Sequence, residues 1–197
     1  MSIKDRLRVK NVRLLSDNWY TLKTTEFEWQ HSNGTWQTQH RETYDRGNGA
    51  TLLPYNLKQG TVILTKQFRY PAFVNEHDDM LIEAAAGLLD DESPEARIRA
   101  EVEEETGYRL THVQKIFEAF SSPGSVTERL HYFVAEYEPH MRVSDGGGLA
   151  DEGEDIEVME VPITEALAMI ADGRIIDAKT IILLQYAALH LFKRQKS

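Results

Sequence analysis

No cysteine occurs anywhere in the 197 residues, and that absence removes disulfides, thiolate-ligated zinc, iron–sulfur clusters and thiol nucleophiles together. Long apolar runs are missing too. Nothing approaches the roughly 18 consecutive residues of a membrane-spanning helix, and the opening MSIKDRLRVKNVRLL is too charged and interrupted for the core of a secretory signal. Positive charge is scarce: 22 Lys and Arg stand against 32 Asp and Glu, for a formal charge of -10. That balance argues against a nucleic-acid polymer or an anionic membrane as partner, since positive fields bind both. A soluble, cytoplasmic protein is expected, and an anionic small molecule would bind it through a metal. The length suits one well-buried core, at most a domain with a small appendage.

What is present is organised. Residues 9–46 alternate polar and apolar in VRLL, WYTLKTTEFEWQ and TWQTQHRETYDR, with Asn33-Gly34 as a hairpin signal. This predicts an antiparallel β meander over residues 1–46. It holds all three tryptophans, Trp19, Trp29 and Trp36; an aromatic-rich sheet of this kind either seals a dimer or ligand site or packs on its own domain. Residues 47–197 form the main domain. It begins with strands ATLLPY, TVILTKQFR and MLIEAAAG, an acidic helix, and strands VQKIFEAF and RLHYFVAEY around the loop SSPGSVTE. A glycine-rich segment, DGGGLADEGED, precedes strand IEVMEVP. Two helices close the chain, one capped by Thr164 and ended near Gly173, the other from about Lys179 to Lys193. Strands and helices mix without strict alternation, which predicts an α/β sandwich with a mixed β-sheet.

The stretch GLLDDESPEARIRAEVEEETGY, Gly87 to Tyr108, carries the most chemistry. Ser93 suits the N-cap, Pro94 the first helical position and Gly107 a left-handed C-terminal cap. Helical spacing then sets Glu101, Glu104 and Glu105 along one face. Like charges at that spacing repel by about 0.2–0.5 kcal/mol per pair, so a cation is expected among them. Hard divalent ions take oxygen ligands, and magnesium commonly combines one or two carboxylates with substrate phosphates. The stretch predicts magnesium-dependent phosphate chemistry.

Gly87, Glu92, Glu101, Val102, Glu104, Glu105 and Gly107, in this order, resemble the signature of the Nudix hydrolases. Two positions depart from it. Glu92 follows Gly87 by five residues where the signature has six, and Ala100 stands where the signature has an arginine that orients the neighbouring glutamates. Arg97, one turn before Glu101, or Arg99 is expected to compensate. The resemblance extends over nearly the whole chain and narrows to the nucleoside-diphosphate-sugar pyrophosphatases, on SDNWYTL, HRETYDRGNGA, KQFRYPAF, AAAGLLD, SSPGSVTE and DAKTIILL.

This resemblance implies a Nudix-type α/β/α sandwich and a homodimer with exchanged N-terminal strands. It also implies magnesium-dependent hydrolysis of a nucleotide sugar, with manganese able to substitute. GDP-mannose is favoured, giving GMP and mannose 1-phosphate; ADP-ribose is the alternative, giving AMP and ribose 5-phosphate. A non-catalytic nucleotide-sugar sensor is the alternative of another class, for which Ala100 is the argument. By resemblance, metal ligation falls to Glu101, Glu104, Glu105, Glu154 and the backbone carbonyl of Ala86. Glu152 and Asp151 are alternatives to Glu154, because this loop is about two residues longer than the family's. Glu128 is the implied base, with Glu105 and Glu104 as catalytic carboxylates. Substrate contacts are implied for Trp19, His40, Arg41, Glu42, Arg69, Gly87, Glu128 and Lys179. Of these, Arg69 offers a planar fork to phosphate and Lys179 a point charge.

Overall fold

The computed structural model describes residues 2–89 and 92–193, apart from the side chain of Glu152. Contact density divides the chain into two units. The first runs to Asn48 and takes in Phe120–Arg129; the second comprises Gly49–Ala119 and the chain from Leu130 onward. The meander thus incorporates a loop that the expected boundary at residue 46 leaves to the main domain.

In the first unit, β1 (Leu7–Asp17), β2 (Thr21–Gln30) and β3 (Trp36–Asp45) form a three-stranded antiparallel sheet in sequence order. The turn between β2 and β3 is the Asn-Gly turn, with Gly34 at φ 85°. No residue of the three strands is fully buried. Two tryptophans are covered by arginines: Arg6, in the turn before β1, lies 4.5 Å from the Trp29 ring centroid, and Arg8, in β1, 3.8 Å from that of Trp36. Such contacts contribute about 0.5–1 kcal/mol at exposed sites. The loop 121–128 is laced to the end of β3, since Tyr44 N donates to Ser125 O at 2.8 Å and Thr127 N to Tyr44 O at 3.1 Å.

The second unit is a sheet of seven strands. β4 (Gly49–Asn56), β5 (Thr61–Gln67), β8 (Gln114–Phe120), β9 (Arg129–Glu136) and β10 (Glu157–Pro162) run in the order β10-β5-β4-β9-β8. β4 and β9 are parallel, while β5 is antiparallel to β10 and β4. The expected strand MLIEAAAG divides in two. β6 (Leu81–Glu83) pairs with β5, and β7 (Ala85–Leu88) with β4. The hinge is Ala84, whose N–H leaves the sheet to donate to Thr180 Oγ1 at 2.7 Å.

Alternation along these strands feeds two cores. Leu53, Val62, Leu64, Tyr132 and Val134 face α3 (Ile163–Ala171) and α4 (Ala178–Tyr186), meeting Ala166, Met169, Leu183 and Leu184. Their neighbours Leu52, Ile63, Phe133 and Ala135 face α2 (Pro94–Thr106), meeting Ile98 and Val102. Each fully buried aliphatic side chain stabilises by about 1.5–3 kcal/mol. The result is the α/β/α sandwich with a mixed sheet. A short helix, α1 (Tyr70–Phe73), follows β5.

The closing helices differ in detail from expectation. Thr164 does not cap α3: the N-cap is Pro162, without a side-chain bond, and Ile163 N instead donates to Gly60 O at 2.9 Å. A backbone partner from the β4–β5 turn replaces the hydroxyl. The last helix is capped by Asp177 and continues from α4 as a π-helical turn, Ala187–Leu191.

Candidate active site

Local rules position α2. Ser93 caps it by accepting from Ala96 N at 3.3 Å, Pro94 opens it, and Gly107 closes it at φ 79°. Ile98 and Val102 supply its buried aliphatic surface, and the rest of its buried face is Glu101, Glu105 and Thr106. Glu101 and Glu105 are 6% and 2% exposed, which is rare for glutamate without partners. Glu101 has one, Arg97 on the preceding turn. Arg97 Nε also donates to Leu88 O at 3.2 Å, tying the helix to β7. Arg99 turns away, to Thr111 O at 3.2 Å. Of the two arginines expected to replace the one missing at Ala100, Arg97 is therefore the one that orients a signature glutamate. Glu105 Oε2 is buried with no hydrogen-bond partner among the described residues.

The electrostatics follow from this burial. Loss of solvent pushes the Glu101 carboxyl up to about 7; the charges of Glu104 and Glu154 add to the shift and Arg97 opposes it. Glu105 is raised well above the usual carboxylate range, first by burial and then by Glu101 and Glu154, with Arg69 opposing. Glu101 thus feels the charges of Glu104 and Glu154, and Glu105 those of Glu101, Glu154 and Glu83. Among the described residues no three acidic or histidine side chains already stand at ligand spacing, so uptake of an ion would draw carboxylates inward. The donor set suits a hard divalent cation, and the unpartnered buried oxygen of Glu105 is the atom most in need of one.

Two glycine features shape the same region. A Cβ at Gly87, in β7, would collide with the Glu101 carboxylate, so the Gly87 backbone lies directly against it. The glycine-rich loop docks on the C-terminal end of α2: Gly147 N donates to Glu105 O at 2.9 Å and Gly148 N to Glu104 O at 3.1 Å. Gly146, Gly147 and Gly148 have φ of 71°, 111° and 78°, a region that L side chains rarely adopt. The loop thereby satisfies helix carbonyls that would otherwise lack partners, and it carries Glu154, whose Oε2 accepts from Leu149 N at 2.9 Å. Asp151 lies on this loop, exposed, in the turn Ala150–Glu152; the side chain of Glu152 lies outside the described residues.

A cleft of about 240 Å³ is lined by Arg69, Glu154, Phe68 and Met80 among others. Arg69 and Lys179 converge on one carboxylate that the sequence reading passed over, Glu83, which is 3% exposed. Arg69 Nε donates to Glu83 Oε2 at 2.8 Å, and Lys179 Nζ to Glu83 Oε1 at 2.5 Å. Burial works to discharge both cations, yet Glu83, joined at Lys179 by Asp177, holds both pKa values above the usual range. A lone glutamate inside the apolar run MLIEAAAG was the available signal, because a charge in a central strand needs a partner.

The remaining expected residues lie in the first unit. Trp19 is 83% exposed at the β1–β2 turn, edge-on to Tyr20. His40, Arg41 and Glu42 are exposed on β3 opposite Glu26, Thr25 and Thr24; Arg41 donates to His40 O at 2.7 Å and to Gln39 Oε1 at 3.0 Å. Glu128 is half-buried at the end of its loop and pairs with Arg46 at 3.4 Å.

Residues 45–184 match the family model of the NUDIX domain, and residues 6–44 that of the GDP-mannose pyrophosphatase NudK N-terminal domain. The chain is 54% identical over 189 residues to a GDP-mannose pyrophosphatase of Yersinia pestis (strain Pestoides F), covering 94% of each. It is 56% identical over 178 residues to one of Pectobacterium atrosepticum, covering 90% of this chain and 91% of the relative. Among solved structures, an ADP compounds hydrolase superposes with a TM-score of 0.72 over 95% of this chain and 97% of that one, at 16% identity; at that identity the likeness concerns the fold.

Proposed function

The chain belongs to the NUDIX family, and from that premise we propose that it hydrolyses the pyrophosphate bond of a nucleotide sugar, GDP-mannose before ADP-ribose. The observation that carries the chemistry is the buried pair Glu101 and Glu105, the first pressed against Gly87 and the second with an oxygen that no group among the described residues satisfies. The choice of substrate rests on relatives named GDP-mannose pyrophosphatase at 54% and 56% identity.

Glu101 and Glu105, with Glu104, Glu154 and the Ala86 carbonyl, would hold magnesium. When bound, magnesium neutralises phosphate oxygen charge and polarises the phosphoryl group. Arg69 presents its guanidinium to the phosphates and Lys179 adds a point charge. Glu128 takes the proton from the attacking water as the bridging P–O bond breaks, which releases GMP and mannose 1-phosphate. Trp19 offers an exposed ring face to a base, and His40, Arg41 and Glu42 add contacts from β3.

The protein works in the cytoplasm as a homodimer built through its N-terminal strands. Supporting this, β1 is an eleven-residue edge strand with Val9, Val12 and Leu14 at 57%, 53% and 53% exposure, an edge that a lone chain leaves open to unwanted pairing. Light scattering should return twice the 22.6 kDa chain mass. The function is tested with GDP-mannose and ADP-ribose at equal concentration and magnesium present. Higher kcat/KM for GDP-mannose supports the reading, higher kcat/KM for ADP-ribose reverses the substrate choice, and binding without any phosphate-ester product refutes hydrolysis.

A further inference from the structure

We infer that Glu83 is the positioning residue of the phosphate clamp, aiming Arg69 and Lys179 at the diphosphate from behind. The inference rests on the pyrophosphatase reading for the identity of the ligand. Its geometry is a closed circuit. Ala84 N donates to Thr180 Oγ1 at 2.7 Å, and Thr180 Oγ1 donates to Asp177 Oδ2 at 2.6 Å. Lys179 Nζ bridges Asp177 Oδ2 at 3.1 Å and Glu83 Oε1 at 2.5 Å. Glu83 is covalently joined to Ala84, so the loop of contacts returns to its start.

Glu83 uses its two oxygens on two different cations, which a glutamine cannot do, because its amide nitrogen only donates. On Arg69 the grip falls on Nε at 2.8 Å. Glu83 therefore leaves the terminal nitrogens of that fork for a ligand, and Arg69 lines a cleft together with Glu154. On Lys179 two of three donors are committed, to Glu83 and Asp177, and one remains. Charge balance fits the same role: the two cations are offset by Glu83 and Asp177, at a site where Arg69 remains partly exposed. An arriving diphosphate adds anionic charge to cations that are already fixed, which removes the reorganisation that free side chains would need.

The test is a cycle of variants in the full-length protein with magnesium. Glu83→Gln is expected to lower kcat/KM for GDP-mannose by about 10–100-fold, with most of the loss in kcat, while the protein still melts well above assay temperature. In an Arg69→Gln, Lys179→Gln background the further loss on adding Glu83→Gln should shrink to less than about 3-fold, since Glu83 would have nothing left to aim. Inorganic pyrophosphate with magnesium, titrated by calorimetry, should bind the Glu83→Gln variant about 10-fold more weakly. If that variant folds poorly, Glu83→Asp, which keeps the charge but is one methylene shorter, should show an intermediate loss. A full Glu83 effect that persists without Arg69 and Lys179, or unchanged pyrophosphate affinity, overturns the inference. Wild-type protein that turns over no nucleotide sugar would instead sink the functional reading, and the pyrophosphate titration would still decide the clamp.

Discussion

Replacing Glu105 by glutamine should make the metal-free protein more stable and the enzyme nearly inactive. The carboxyl is 2% exposed, one oxygen has no partner, and burial with the charges of Glu101 and Glu154 raises its pKa well above 4.5. In the unfolded chain it ionises near 4.5. Above that pH the native state either keeps a proton the unfolded chain has released or carries an unfavourable buried charge. The native state therefore binds more protons, and stability falls as pH rises. Because the group can escape by protonation, the penalty cannot exceed about 1.4 kcal/mol per pH unit above 4.5, or about 4 kcal/mol at about pH 7.5. An unsatisfied buried polar group costs about 1–3 kcal/mol, which lies within that ceiling. A gain of about 1–3 kcal/mol raises Tm by roughly 2–12 °C in a chain of this size. Thermal melts in chelator should show Glu105→Gln above wild type at about pH 7.5, with the gap closing towards about pH 5. Magnesium should then stabilise wild type more than the variant, while turnover of the variant falls at least ~100-fold. Equal melting points at both pH values, or a variant less stable at the higher one, would refute the account of the carboxylate cluster.

Gly87→Ala places a methyl group in the Glu101 carboxylate; turnover should fall at least ~10-fold and magnesium affinity weaken, as displacement of a ligand requires, and unchanged magnesium dependence by phosphate-release assay would show that the glycine serves only the strand. Glu128→Gln should lower kcat while leaving KM for GDP-mannose within about 3-fold, as expected for a base; a large rise in KM with kcat intact would make Glu128 a binding residue.

The acidic helix was readable because its signals are local: Ser93, Pro94 and Gly107 are caps, and the Glu101/Glu105 spacing follows from the helical repeat. What escaped was set by distant partners. MLIEAAAG reads as one strand, but Ala84 meets Thr180, almost a hundred residues on, and the strand breaks there. Thr164 has the chemistry of a cap, yet a carbonyl at Gly60 already served the helix start. Arg97 stands one turn before Glu101 and Arg99 only two residues before it, and the structure pairs Arg97 with Glu101 while Arg99 turns to Thr111 O. Glu83 was hidden by its apolar neighbours, although its charge was itself a hint. The incorporation of residues 120–129 into the N-terminal unit depends on main-chain bonds to Tyr44 that leave no mark in composition.

The stitching of Gly147 and Gly148 to the last carbonyls of the acidic helix uses main-chain atoms alone. Side-chain identity along that seam is consequently almost irrelevant to its register, provided the positive-φ positions keep glycine. Residues can be gained or exchanged between the seam and strand β10 while the two carbonyl anchors stay put. The lobe can thereby change length while Glu154 and the acidic helix keep their places.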